Sequence, residues 1–208
     1  MSQRAFRAVT FDFGGVLWGR PESARNRKWE KRFGLPEGGL FQVLYDNPVA
    51  QQALIGQATY EEMMAEARRR LALTPDEWET FQADRREGQV WDTELLAFIR
   101  QLRPKYKTGV VSNATPGTHE QVKAYINNET FDVIVFSDQE GVSKPDPEIY
   151  RRALSRLGVA AEETIYVDDH LPNVEAARSL GIHAIYHTGS VEVQEAVKHL
   201  LSPRPARN

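Results

Sequence analysis

The sequence predicts an α/β protein: a doubly wound, parallel, five-stranded sheet with an α-helical insertion after its first strand. Five short segments rich in β-branched and aromatic residues, at 8–12, 108–112, 133–136, 164–168 and 184–186, have the length and composition of buried parallel strands. Amphipathic helical patterns separate most of them, and parallel strands require such crossovers. The interval from about Trp18 to Trp91 has several helix starts and no convincing strand, so it reads as the insertion.

The elements follow in order. Within the insertion, Thr59 with Glu62 forms a capping box ahead of Tyr60, Met63, Met64, Ala67 and Leu71 at helical spacing. Thr74-Pro75-Asp76-Glu77 opens a further helix with Trp78 and Phe81 on its apolar face; such aromatics and methionines are bundle core. After the second strand a helix opens near Thr115-Pro116 or at Thr118, where Gln121 completes a capping box, and continues through Val122, Tyr125 and Ile126. Asp146-Pro147 starts the next, a cap followed by proline at the first helical position, and Gly158 ends it after Ile149, Tyr150, Ala153, Leu154 and Leu157. A last one starts near Pro172, carries Val174, Ala177 and Leu180 on one face, and stops at Gly181. The expected division is 18–92 helical, with 1–17 and 93–208 forming the α/β core; the tail at 202–208 should fray.

Bulk composition narrows the function. Lys and Arg total 26 against 29 acids, net charge −3, so no basic field favours nucleic acid or an anionic membrane; small-molecule partners fit better. The absence of cysteine removes disulfides, thiolate nucleophiles and zinc–thiolate sites, so any metal is held by oxygen or histidine. Arg4 and Arg7 precede an apolar run that Asp12 interrupts, which matches neither a signal peptide nor a membrane span; the cytoplasm is the expected location.

Three strands end on polar residues suited to chemistry, Asp12, Ser112 and Asp168, and open α/β sheets bind ligands beyond the carboxyl ends of their strands. In Phe11-Asp12-Phe13-Gly14-Gly15-Val16-Leu17 the acid stands where glycines let the chain turn; it can attack, bind metal, or simply cap the turn. Ser112-Asn113-Ala114, just before a helix, offers a hydroxyl and successive N–H groups as a phosphate cradle, or a plain helix cap. Lys144, pinned by Pro145 in Gly141-Val142-Ser143-Lys144-Pro145, is either a solvated charge or a cation aimed at an anion. The adjacent acids Asp168 and Asp169 repel each other unless a cation or donors compensate, and magnesium is the hard ion that one or two carboxylates commonly hold.

Four motifs in this order resemble those of the haloacid dehalogenase superfamily over nearly the whole chain: the 11–17 segment, Ser112-Asn113, Lys144-Pro145, and Asp168-Asp169 with Asn173. The helical insertion is similar to the cap of subfamily IA, and the paired acids match its DD variant. The resemblance implies a Mg²⁺-dependent phosphohydrolase acting on a small phosphorylated metabolite. Asp12 is then the nucleophile that forms an aspartyl-phosphate. The implied metal set is Asp12, the Gly14 carbonyl, Asp169 and Asp168, the last as ligand or outer acceptor. Ser112 with the amides of Asn113 and Ala114 holds the transferring oxygens, and Lys144 balances their charge.

One position departs from the pattern. Where phosphatases of the superfamily usually carry a second aspartate two residues after the nucleophile, this chain has Gly14, which removes acid–base help worth about 10²–10⁴-fold. The favoured expectation is a phosphatase that tolerates the loss by favouring good leaving groups or by borrowing a proton from water, His170 or an insertion residue. A 2-haloacid dehalogenase also lacks that aspartate but usually carries tyrosine there, and a non-catalytic phosphometabolite- or partner-binding protein is the third reading. His119 is expected at the surface, and the basic residues Arg25, Arg27, Lys28, Lys31, Arg32 and Arg68-Arg69-Arg70 on solvated helix faces.

Overall fold

A computed structural model describes residues 5–19, 24–87 and 90–202. The tail beyond 202, Arg4 and the side chain of Arg25 lie outside what it describes. Five strands, β1 (Ala8–Phe11), β2 (Lys107–Ser112), β3 (Val133–Phe136), β4 (Thr164–Asp168) and β5 (His183–Tyr186), form one parallel sheet in the order β3-β2-β1-β4-β5. Every predicted strand is present, with bounds shifted by at most a residue or so. β1 is central, so the chain reverses its direction of winding on either side of it and opens a crevice at its carboxyl end.

Helices cover both faces. Val9, Phe11, Val110, Ile165 and Val167 point to one side, against α6 (Thr93–Leu102), α7 (Thr118–Val122) and α11 (Ser190–Leu201). Val111, Val135 and Tyr166 point to the other, against α9 (Pro147–Leu157) and α10 (Leu171–Ser179). Each such fully buried side chain contributes roughly 1.5–3 kcal/mol, which is why the strands read as continuous apolar runs rather than alternating ones. α8 (Ser137–Glu140) is a single turn directly after β3.

The segment between β1 and α6 is helical: α1 (Ala24–Phe33), α2 (Gly39–Tyr45), α3 (Pro48–Leu54), α4 (Tyr60–Arg70) and α5 (Pro75–Glu87). Its apolar residues form clusters of their own, one on Trp29, Leu40, Ala67 and Phe81, another on Ala50, Ala53, Met63 and Met64. The Thr59–Glu62 capping box forms in both directions. The basic faces pair with the segment's own acids: Lys28 with Asp84, Arg32 with Glu77, Arg69 and Arg70 with Glu66. The two linkers run side by side, Gly19 N–H to Val90 O (2.9 Å) and Asp92 N–H to Leu17 O (2.9 Å), with the rings of Phe13, Trp18 and Trp91 in mutual contact.

Asp146 caps α9 through Glu148 N–H, Pro147 follows, and Gly158 ends it in the left-handed region at φ +66°. The capping box at Thr118 and Gln121 does not form. Gly117, at φ +90°, occupies the cap position instead, and the Thr118 hydroxyl turns back to the Thr115 N–H at 3.3 Å. His119, expected at the surface, is half-buried, its ring 6.0 Å from that of Phe136.

Candidate active site

The register of the three central strands brings the predicted acids together. Phe11 pairs with Val110 on β2 and Val167 on β4, so the next residue, Asp12, emerges level with Asp168 and one residue short of Ser112 at the carboxyl edge. Asp12, Asp168 and Asp169 each place an oxygen within 4.8 Å of the others. Asp12 is 7% exposed and Asp168 fully buried. Three carboxylates this close need compensation.

Lys144 supplies the first part. Its ammonium lies 2.8 Å from Asp12 Oδ1, 2.7 Å from Asp168 Oδ2 and 3.0 Å from the Tyr166 hydroxyl, so all three of its N–H donors are used inside the protein. Asn113 fixes the loop that delivers it: its side-chain amide donates to Lys144 O (2.9 Å) and accepts from Lys144 N–H (2.7 Å). Sequence reasoning put Asn113 in the site but did not find this use of its side chain.

Asp168 is saturated with donors. Oδ2 accepts from Lys144, from the Tyr166 hydroxyl and from Asn173 Nδ2 (3.1 Å), and Oδ1 accepts from His170 N–H (2.7 Å) and Asn173 Nδ2 (3.2 Å). Asn173 is itself held by the fourth motif's turn, and Tyr150 donates to its carbonyl at 3.0 Å. Burial pushes the Asp168 pKa up, but Lys144 and these hydrogen bonds outweigh it and hold the group below its ordinary value. Asp168 is thus an anchor for Lys144, and donors engage both of its oxygens, as the outer-acceptor role expected for it requires.

Asp12 and Asp169 behave oppositely. Burial raises Asp12 to about 6, with Lys144 pulling it down and Asp168 pushing it up. Burial, Asp12 and Asp168 together raise Asp169 to about 7. Asp12 Oδ1 accepts Phe13 N–H at 2.6 Å as well as Lys144, which leaves Oδ2 facing neither. Gly15 explains how Asp169 comes so near: at φ +78°, a Cβ there would lie 1.8 Å from Asp169 Oδ2. The short bridge between Gly14 and Trp18 uses Phe13 O and Gly15 N–H, so the Gly14 carbonyl stays outside it. Two under-compensated carboxylates and a carbonyl form an all-oxygen donor set that fits a hard divalent cation.

The cradle is smaller than expected. Ser112 is buried and its hydroxyl faces Asp12, but the Ala114 N–H donates to Ser137 Oγ at 2.9 Å, so it is not directed at a ligand. Ser137 and Tyr166 were missed in the sequence; the only signal was a hydroxyl inside or directly after an otherwise apolar buried strand. The His170 side chain is exposed, and its backbone rather than its ring serves the site.

Comparison with known proteins agrees with this architecture. Residues 6–181 match the family model described as haloacid dehalogenase-like hydrolase. Mouse acyl-CoA dehydrogenase family member 10 is 31% identical over 191 residues, covering 88% of this chain and 18% of that protein. A phosphorylated carbohydrates phosphatase of Thermotoga maritima is 39% identical over 95 residues, 45% of this chain and 43% of the relative. The chain therefore spans less than half the length of either relative. Among solved structures, a HAD family enzyme of Bacteroides thetaiotaomicron in complex with magnesium and inorganic phosphate superposes with a TM-score of 0.68 at 21% identity, over 88% of this chain and 94% of that one. The fold, the order of its motifs and the extent of the family match lead to one conclusion: the chain belongs to the haloacid dehalogenase-like hydrolase family.

Proposed function

We propose that this protein is a Mg²⁺-dependent phosphohydrolase that cleaves a small phosphorylated metabolite through an aspartyl-phosphate on Asp12. The observation that carries the reading is the division of labour among the three acids. Asp168 is engaged by Lys144, Tyr166, Asn173 and the His170 N–H, while Asp12 and Asp169 lie within 4.8 Å of it with their pKa values raised to about 6 and about 7. A 2-haloacid dehalogenase, which attacks carbon, has no need of a second carboxylate seated against a glycine as Asp169 is. The Thermotoga relative, a phosphatase by name, points the same way.

Asp12, the Gly14 carbonyl and Asp169 would hold the cation, with Asp168 behind them. Bound there, Mg²⁺ supplies charge neutralisation and orients a phosphate oxygen. The Asp12 carboxylate attacks phosphorus, the bond from phosphorus to the leaving oxygen breaks, and the leaving oxygen takes a proton from water. Ser112 and the Asn113 N–H hold the transferring oxygens, and Lys144 keeps Asp12 ionised and aimed. Water then cleaves the phosphoenzyme, returning the carboxylate and inorganic phosphate. Gly14 offers no side chain to either proton transfer, so substrates with good leaving groups are favoured. In this reading 18–92 is a cap domain over a core of 1–17 and 93–208, and its closure excludes water from the intermediate.

A screen of phosphorylated metabolites with and without Mg²⁺ tests the proposal. Phosphate release should require the metal and vanish in Asp12→Asn, whose circular dichroism should match the wild type. Turnover retained by that variant would remove Asp12 as nucleophile.

A further inference from the structure

The helical segment holds a concavity of its own, about 650 Å³ in volume, within the range of roughly 300–1,000 Å³ that small-molecule sites occupy. Its lining comes from α4, the turn after it and α5, chiefly Tyr60, Met64, Arg68, Leu73, Trp78 and Gln82. Among the described residues none from the α/β core takes part.

Arg68 distinguishes this concavity from a plain gap between helices. Lys28, Arg32, Arg69 and Arg70 are exposed and pair with acids of the segment. Arg68 is half-buried, and no carboxylate among the described residues pairs with it. Its Nε–H donates instead to Leu73 O at 3.1 Å, while Leu73 N–H returns to Arg68 O at 3.3 Å. Ala72 closes that turn at φ +50°, the one non-glycine residue in the left-handed region among those described. The guanidinium is thus fixed through Nε, and its two Nη groups are bonded to nothing among the described residues. Charge favours an anion at this end, where Arg68, Arg69 and Arg70 carry three positive charges against the single negative one of Glu66. Glu61, also in the lining, lies seven residues earlier, about 10 Å along the helix. Met64 and Leu73 are buried beneath, and the Trp78 indole N–H and the Gln82 amide have no hydrogen-bond partner among the described residues.

We propose that this concavity is a second ligand site, for a small molecule that joins a flat ring to a carboxylate. The ring packs on Trp78, and the carboxylate accepts from the Nη groups of Arg68, whose planar fork matches it. Neither Asp12 nor the phosphohydrolase reading enters into this assignment.

The probe is 2-naphthoate, titrated by calorimetry into the full chain in EDTA and followed by NMR. One site with Kd below about 1 mM is expected, with shifts at the Arg68 Nε–H and at the Ala72 and Leu73 amides. On the same protein acetate, which lacks the ring, and 2-naphthylmethanol, which lacks the charge, should each bind at least about ten-fold more weakly. Arg68→Gln should weaken 2-naphthoate binding at least about ten-fold. Ala65→Trp, which fills the concavity from an exposed lining position on α4, should abolish it. Arg70→Gln removes an equal charge from outside the lining and should stay within about three-fold of wild type. No saturation at about 5 mM would overturn the proposal, as would equal binding of either truncated compound. Equal losses in Arg68→Gln and Arg70→Gln, or shifts gathered instead at Phe13, Ser112 and Asn113, would do the same. The comparison of the three compounds uses the unaltered chain, so it decides the matter even where a variant does not fold.

Discussion

Restoring an acid two residues after the nucleophile should change the rate in a way that depends on the leaving group. A Cβ at Gly14 meets nothing within 4 Å and the backbone there is not left-handed, so the first side-chain atom of Gly14→Asp is accommodated without backbone strain. General acid–base help is worth about 10²–10⁴-fold, or roughly 2.7–5.5 kcal/mol of barrier. Against it stands the repulsion of a fourth carboxylate by three whose oxygens already lie within 4.8 Å of one another. Each unit by which that repulsion raises a neighbour's pKa offsets about 1.4 kcal/mol. One unit leaves a net gain of about 10- to 10³-fold for an alkyl phosphate, whose leaving oxygen must be protonated. For p-nitrophenyl phosphate, whose leaving group departs as the anion, the gain should stay under about ten-fold. Initial rates on glycerol phosphate and p-nitrophenyl phosphate at saturating Mg²⁺ provide the assay, with Mg²⁺ affinity titrated separately. Equal gains on both substrates, or none on either while the metal still binds, would refute the account of Gly14.

Gly15→Ala should weaken Mg²⁺ binding by at least about ten-fold in calorimetry, because its methyl would stand 1.8 Å from Asp169 Oδ2; unchanged affinity would take Asp169 out of the metal set. Lys144→Met should cost roughly 3–5 kcal/mol in urea unfolding, since it leaves Asp12 and Asp168 buried without their cation, and adding Asp168→Asn should recover part of the loss. The metal-free protein should become less stable as pH rises from about 4 to about 7. Asp12 and Asp169 titrate near 6 and 7 in the folded state against 3.8 unfolded, so the folded state holds more protons across that window and its stability falls through it. Asp168, held low, works in the other direction and only below about 3.8. Thermal melts in EDTA across that range, repeated with Asp169→Asn, check this: the variant should show the smaller fall, and Mg²⁺ should restore more stability at the upper end than at the lower.

Much of this protein is written in local pattern. Strand positions follow from apolar runs of four to six residues because burial on both faces of a parallel sheet selects such runs, and the acids at 12 and 168 mark where each run stops. Asp146-Pro147 with Gly158, and Thr59 with Glu62, set helix ends through contacts within a few residues of each other. Such signals survive in one dimension because the partners are neighbours in the chain. Thr118 and Gln121 had the same signature, yet the left-handed Gly117 took the cap, a backbone choice that side-chain spacing does not encode.

What each site residue does was decided only in three dimensions. Asp168 and Asp169 are adjacent in sequence and similar in chemistry, but one receives donors from Lys144, Tyr166, Asn173 and the chain itself while the other abuts Gly15 and is raised to about 7 by burial and its acidic neighbours. Ala114 loses its amide to Ser137, 23 residues away, and Asn113 spends its side chain on Lys144, 31 residues away. Whether a buried polar group is ligand, anchor or spectator depends on which donors reach it. Those donors arrive from separate strands and loops, so their identity is a property of the sheet order and register, which no local periodicity contains.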